Sequence, residues 1–294
     1  MFMKPIRKWI AAAMCAVLVL DGCASSAATA GNAASATAAA AVDGTAEVTV
    51  FKAGSADAIL IQTSEGAVVS DTGESSFGDN LVQALKAAGI TELQALILTH
   101  FDADHVGGAA ELLGSITVDA VYQSDYPKDS DEYTAYVSAL KDAGVTAQTV
   151  RSGVSFSVGG ASLYIGPPQQ ASYTSNSSNN SSLIIEMTYG STRFLFAGDA
   201  MTERLEEYLQ EDRGTFQFLK VPYHGRWQDS LEELFAAVQP QIAVLTAAAK
   251  EDTEETTSAL EKMGASVYQT SRGPVPVTSA GPPPYSSDRV WLSP

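Results

Sequence analysis

The chain contains three histidines, His100, His105 and His224. Two of them share one stretch, Thr99-His100-Phe101-Asp102-Ala103-Asp104-His105-Val106-Gly107-Gly108, in which histidine and aspartate alternate. Neutral imidazole and carboxylate are the ligands that Zn²⁺ and Mn²⁺ accept. The stretch follows an apolar run and precedes a helical pattern, so it reads as a strand-to-helix loop whose lone pairs can point at one centre. A solvated acidic turn capping the helix would explain Asp104, because a carboxylate suits a helix N-terminus. It would not explain two histidines as well, and a metal centre is the better reading. Thiolate ligands play no part in it. The two cysteines, Cys15 and Cys23, both lie in the N-terminal leader described below.

The elements that must position these residues follow from hydrophobic periodicity. Short strands are expected at Val48–Phe51, Ala58–Ile61, Ala67–Val69, Leu93–Leu98, Val118–Tyr122, Val145–Val150, Ser162–Ile165, Leu183–Thr188, Arg193–Phe196, Phe216–Val221, Ile242–Leu245 and Val267–Gln269. Helices are expected at Leu81–Ala88, Gly107–Leu113, Glu132–Ala143, Thr202–Gln210, Leu231–Val238 and Glu254–Met263. Several strands are apolar on both faces, so sheets covered by helices would bury them. With 294 residues, 45% apolar and 17% charged, the chain can build a substantial core.

The N-terminus has a different character. Lys4, Arg7 and Lys8 precede an apolar run, Trp9 to Leu20, too short to span a membrane comfortably. Leu20-Asp21-Gly22-Cys23 follows and resembles the bacterial lipobox, although Asp21 is unusual there. Residues 1–22 are thus expected to be a lipoprotein signal peptide, with Cys23 the lipidated residue. Residues 23–44, rich in Ala, Ser and Thr, are expected to form a tether, and 45–294 the folded domain. This order implies an extracytoplasmic protein anchored to the bacterial cell membrane. The net charge is −17, and the chain beyond residue 22 is more negative by two charges. Such a surface repels polyanions and lacks the basic stripe of a protein that coats nucleic acid.

The histidine stretch resembles the signature of the metallo-β-lactamase superfamily, His-x-His-x-Asp-His, with Asp102 in place of the second histidine. That replacement is familiar from the soluble domain of the competence protein ComEC and its relatives. Other segments agree in order: Ala53-Gly54-Ser55-Ala56-Asp57-Ala58 with a Val-Gly-Gln-Gly-Asp-Ala element, Asp71-Thr72-Gly73, and Asn179-Asn180-Ser181-Ser182-Leu183 with Asn-x-x-Ser-Leu. Further on come Gly198-Asp199, then Lys220-Val221-Pro222-Tyr223-His224-Gly225 with Lys-x-x-His-His-Gly, Tyr223 replacing a histidine, and a closing strand at Val267-Tyr268-Gln269-Thr270.

The resemblance implies an α/β fold, a four-layered αβ/βα sandwich with metals held by loops at one edge of the sheets. It implies two divalent ions, zinc by default and manganese as the harder alternative that Asp102 favours. His100 and Asp102 would hold the first ion, Asp104, His105 and His224 the second, and Asp199 would bridge them. Asn179 or Ser182 lies near the place of a missing histidine. Asp71 would orient the metal loop by hydrogen bonds. Asp104 could move a proton and Arg226 could clamp an anion or be an ordinary surface arginine. Tyr223 could donate to substrate or pack beside the loop. The expected activity is hydrolysis of a small or short phosphodiester. The rivals are lactam, lactone or thioester hydrolysis, and a metal-binding surface lipoprotein without turnover. The sequence leaves oligomeric state open.

Overall fold

The computed structural model describes residues 44–280 and the strand Val290–Leu292. The signal peptide and the tether read from the sequence lie outside the described residues apart from Gly44, and the first strand begins at Thr45. Among the described residues no helix is long and apolar enough to cross a membrane.

Two mixed sheets carry the fold. The first runs in the order Val290–Leu292, Val275–Ala280, Thr45–Val50, Ala58–Thr63, Gly66–Thr72, Ala95–Leu98, Val121–Gln123 and Ala147–Thr149. It is antiparallel as far as Gly66–Thr72 and parallel beyond. The second runs Ser266–Gln269, Ile242–Leu245, Phe218–Lys220, Thr192–Phe196, Ile184–Tyr189, Ala161–Gly166 and Val154–Val158. Its first four strands are parallel and the rest antiparallel.

Alternation along each strand sends side chains to two different cores. Val48, Ile59, Ile61, Val68 and Ile97 of the first sheet meet Leu163, Ile165, Met187, Phe194 and Phe218 of the second. Their neighbours Leu60, Val69, Leu96 and Leu98 turn outward, against Leu81 and Leu85 of helix Gly78–Ala87, Leu112 of Ala109–Ser115 and Tyr136 of Asp131–Ala143. On the other side, Leu195, Leu219, Ala243 and Leu245 pack on Leu205 of helix Thr202–Leu209, Phe235 of Leu231–Val238 and Leu260 of Glu254–Lys262. Each fully buried leucine or phenylalanine contributes about 1.5–3 kcal/mol. The result is the four-layered αβ/βα sandwich.

Two expected strands are broken. Glu92–Leu93 pairs with Thr117–Val118 in a small sheet of its own, whereas Ala95–Leu98 and Val121–Gln123 join the first large sheet. Gln94 makes the jog: its backbone N–H donates to Ala67 O (2.9 Å) and its side-chain Oε1 accepts from Ala67 N–H (2.5 Å). Strands Val154–Val158 and Val275–Ala280 and the helical turn Ala103–Val106 were not expected.

The topology delivers the chemistry to one edge. Thr99 and His100 follow strand Ala95–Leu98, and Asp199 follows Thr192–Phe196. His224 follows Phe218–Lys220, Thr246 follows Ile242–Leu245, and Asp71 ends Gly66–Thr72. These are carboxyl ends of strands from both sheets, where open α/β sheets place their sites. Gly108 lets the histidine loop wedge against the turn at Thr72. A Cβ there would lie 2.5 Å from the Thr72 carbonyl oxygen.

Candidate metal centre

Asp71 sits at the base of the site in a left-handed conformation, φ 53°, uncommon for a residue with a side chain. Its carboxylate accepts from Thr99 N–H (2.8 Å), the Thr99 hydroxyl (2.7 Å) and His105 Nδ1 (2.9 Å). That last bond keeps the His105 proton on Nδ1 and turns Nε2 inward. The Thr99 hydroxyl proton is spent on Asp71, so His100 Nδ1, 3.2 Å from Thr99 Oγ1, is the donor of that pair. On the opposite side His224 Nδ1 lies 3.0 Å from Thr246 Oγ1, which donates to Asp57 Oδ1 (2.7 Å). Asp57 is ion-paired with the fully buried Lys220, which also donates to Gly198 O (2.9 Å).

Every imidazole thus spends Nδ1 on a supporting oxygen and turns Nε2 inward. His105 Nε2 lies 3.3 Å from Asp199 Oδ1, and His224 Nε2 lies 3.0 Å from Asp199 Oδ2 and 3.1 Å from Asp104 Oδ2. The His100 and His105 rings are 4.1 Å apart, and those of His105 and His224 5.4 Å. His100 Nε2, His105 Nε2 and Asp199 Oδ1 are buried without hydrogen-bond partners. Leaving a buried polar atom unpaired costs about 1–3 kcal/mol. These buried atoms suit a divalent cation that displaces the His105 proton, and histidines held through their far nitrogens are what metal sites require.

The local charges follow from the same contacts. Burial opposes protonation of His105, but Asp199 and Asp71 outweigh it and hold its pKa well above the ordinary histidine value. Burial likewise opposes protonation of His224, and Asp199 and Asp104 reverse it. Burial, followed by the charge on His105, pushes His100 down to about 4. Asp199, although buried, is held well below the carboxylate range by His224 and His105. Lys220 does the same for Asp57 against its burial.

Residues 52–248 match the metallo-β-lactamase superfamily. The chain belongs to this superfamily. It is 30% identical over 173 residues to ComE operon protein 3 of Bacillus subtilis strain 168, covering 57% of this chain and 21% of that protein. It is 27% identical over 202 residues to competence protein ComA of Neisseria gonorrhoeae, covering 68% and 26%. The chain therefore spans about a quarter or less of these relatives' length. Among solved structures, the metallo-β-lactamase fold protein YhfI of Bacillus subtilis superposes with a TM-score of 0.53 at 12% identity, covering 85% of this chain and all of that one. The expectation of a metal-dependent enzyme of this superfamily stands on the family match and the donor cluster together.

Within the superfamily frame, the loops bring His100, Asp104, His105, Asp199 and His224 to one point. Four groups, Asp57, His105, Asp199 and His224, offer donor atoms all within 4.8 Å of one another. Asp57 is the member that sequence reasoning quoted only as part of a motif. It faces His224 Nδ1 (3.4 Å) rather than the inward Nε2, and Lys220 and Thr246 already engage it. Asp57 thus holds His224 from behind, whereas His105, His224, Asp199 and Asp104 turn donor atoms toward one another at 3.0–3.3 Å. Asp102 stands apart, with Oδ1 4.0 Å from His100 Nε2 and engaged by Lys128 Nζ (2.5 Å) and the Ser178 hydroxyl. Ser182 Oγ lies 3.4 Å from His100 Nδ1 and accepts from Asp199 N–H (3.1 Å). Asn179 instead donates to Met201 Sδ (3.6 Å). Arg226 is committed to Glu251 (2.7 Å) and lies over the Tyr223 ring (5.0 Å). Thr246, Lys128 and Ser178 carry no motif in the sequence, whereas Lys220 and Thr99 stand within motifs without a role assigned from them.

Proposed function

We propose that this protein is an exported, metal-dependent hydrolase of small or short phosphodiesters. The observation that carries the reading is the inward convergence of His105 Nε2 and His224 Nε2 on Asp199, each histidine held from behind, with the His100 ring 4.1 Å from that of His105. When bound there, divalent ions act as Lewis acids and lower the pKa of a water toward neutrality. Zinc is the default ion and manganese the alternative, since Asp102 hardens the first position. Two ions are proposed, one at His105, His224, Asp104 and Asp199, the other at His100, Asp102 and Asp199. Asp104, with a partly exposed carboxylate, can accept a proton from the attacking water and return it to the leaving group. Tyr223, in the turn with His224 and under the Arg226 guanidinium, would donate a hydrogen bond to substrate or pack beside the loop.

The mouth of the site limits substrate size and charge. A cleft of about 510 Å³ is lined by Ser55, Glu74, Ser75, Ala103, Asp104, Glu132 and Arg226. Its carboxylates and the strongly negative chain oppose a long polyanion. A second reading for the same site is hydrolysis of a lactam, lactone or thioester. Export and anchoring rest on Lys4, Arg7, Lys8, the apolar run and Gly22-Cys23. Cys23→Ser should abolish labelling by a fatty-acid probe in a bacterial host, and continued labelling would refute the anchor. Activity is tested by turnover of a chromogenic phosphodiester, a short single-stranded oligonucleotide and a chromogenic cephalosporin, with Zn²⁺ and with Mn²⁺. The phosphodiester should be turned over fastest, and Asp199→Ala should abolish that turnover. Dominant cephalosporin hydrolysis that vanishes in Asp199→Ala would promote the second reading.

A further inference from the structure

The two halves of the metal centre are not equivalent, and the difference lies in a residue outside the histidine loop. On the His105 side, Asp199 meets only the imidazoles at close range, His105 Nε2 at 3.3 Å from Oδ1 and His224 Nε2 at 3.0 Å from Oδ2, while the buried Lys220 ammonium stays 3.6 Å from Oδ1. On the His100 side, Asp102 Oδ1 faces His100 Nε2 at 4.0 Å and already receives two donors, the Lys128 ammonium at 2.5 Å and the Ser178 hydroxyl. A cation therefore stands on the oxygen that a divalent ion would need.

Its placement is built into the fold. Lys128 lies on the loop after strand Val121–Gln123, just past Pro127, which restricts the residue before it to extended backbone. The start of that loop is tied down by Ser124, whose hydroxyl donates to Ser181 O (2.8 Å). Ser181 closes the helical turn Ser177–Asn180 that presents Ser178. The loop and the turn thus bring ammonium and hydroxyl together on one carboxylate. The Lys128 side chain is 35% exposed, so it can swing into solvent without opening the core.

We infer that Lys128 is a tethered cation that competes with a divalent ion for the His100–Asp102 position, so that the protein holds one ion tightly and the second only when Lys128 withdraws. The inference rests on the metal-centre reading above and concerns how the centre fills. An ammonium supplies positive charge and up to three hydrogen bonds but no Lewis acidity, since it has no empty orbital. The Asp102 side is then a neutral ion pair by default, and a metal site only at high free metal.

The test is metal binding rather than turnover. The full chain is stripped with a chelator, then titrated with Zn²⁺ and with Mn²⁺ by calorimetry. Bound metal is counted by mass spectrometry after gel filtration. The native protein should bind one equivalent tightly and a second at least about tenfold more weakly, a gap of about 1.4 kcal/mol. Lys128→Met and Lys128→Gln should each tighten the second equivalent by about tenfold, and Lys128→Arg should keep the native pattern. Two equally tight equivalents in the native protein overturn the assignment of Lys128, as does a Lys128→Met isotherm that superimposes on the native one. A native protein that takes up no metal overturns the metal-centre reading itself, which is a distinct result.

Discussion

Lys220 is the residue whose removal should do most damage for its size. Its ammonium is fully buried, paired with Asp57, 3.6 Å from Asp199 Oδ1, and donates to Gly198 O. Lys220→Met keeps the volume and deletes the charge. Asp57 is then a buried carboxylate with no cation in contact except a protonated His224. Removing one partner of a buried pair costs about 3–5 kcal/mol. A domain of this size loses about 2–4 °C of Tm per kcal/mol, so the variant should melt roughly 10 °C lower. Adding Asp57→Asn removes the stranded charge and should recover at least about half of the loss, because coupled partners are not additive.

The pH dependence supplies a second signature. In the native protein Asp57 is held below its ordinary value, so its contribution is present above the unfolded pKa, near 4, and is lost as pH falls through the folded value. Without Lys220 burial dominates and raises Asp57, so the variant should gain stability relative to native as pH falls from 7.5 to 5. Thermal unfolding by circular dichroism in chelator, at both pH values, reads all three effects. A drop in Tm of under about 2 °C, or no recovery in the double variant, would refute the reasoning.

Asp71→Ala deletes three hydrogen-bond acceptances and frees the His105 ring. Metal affinity should fall about 10–100-fold, and an unchanged affinity in competition with a chromophoric chelator counts against an orienting role. His105 and His224 have raised pKa values in the metal-free protein, so metal must displace their protons. Affinity should therefore rise with pH, with proton release seen as a buffer-dependent calorimetric enthalpy; a buffer-independent enthalpy contradicts this. The same protons stabilise the metal-free fold fully below the unfolded pKa of about 6.5, and that stabilisation is lost as pH rises through the higher folded values. Gly108→Ala places a methyl 2.5 Å from the Thr72 carbonyl, which should cost about 1–3 kcal/mol in thermal melts; an unchanged Tm means that the loop and turn are not in close contact.

By itself the sequence determined the layers and the donor types. Short apolar runs such as Ala58–Ile61 and Leu183–Thr188 and helical spacing at Leu81 and Leu85 are local signals, and the strands Ala58–Thr63 and Ile184–Tyr189 and the helix Gly78–Ala87 are found there. His100, Asp104, His105, Asp199 and His224 were legible because their types are scarce and their neighbours are short linear motifs. What tertiary structure decided was which atoms face which. Asp57 and Thr246 are 189 positions apart, and Asp102 and Ser178 are 76 apart. No local pattern reports such pairs, because they form only when strands from two sheets end at one edge. The break at Gln94 was equally hidden, since it arises from a side chain replacing a ladder bond to Ala67. Burial decided the rest. Lys220 is visible in the sequence only as the first residue of a motif; once the sandwich closes around it, the low-dielectric setting lets it fix the charge of Asp57 and, through Asp57, the orientation of His224.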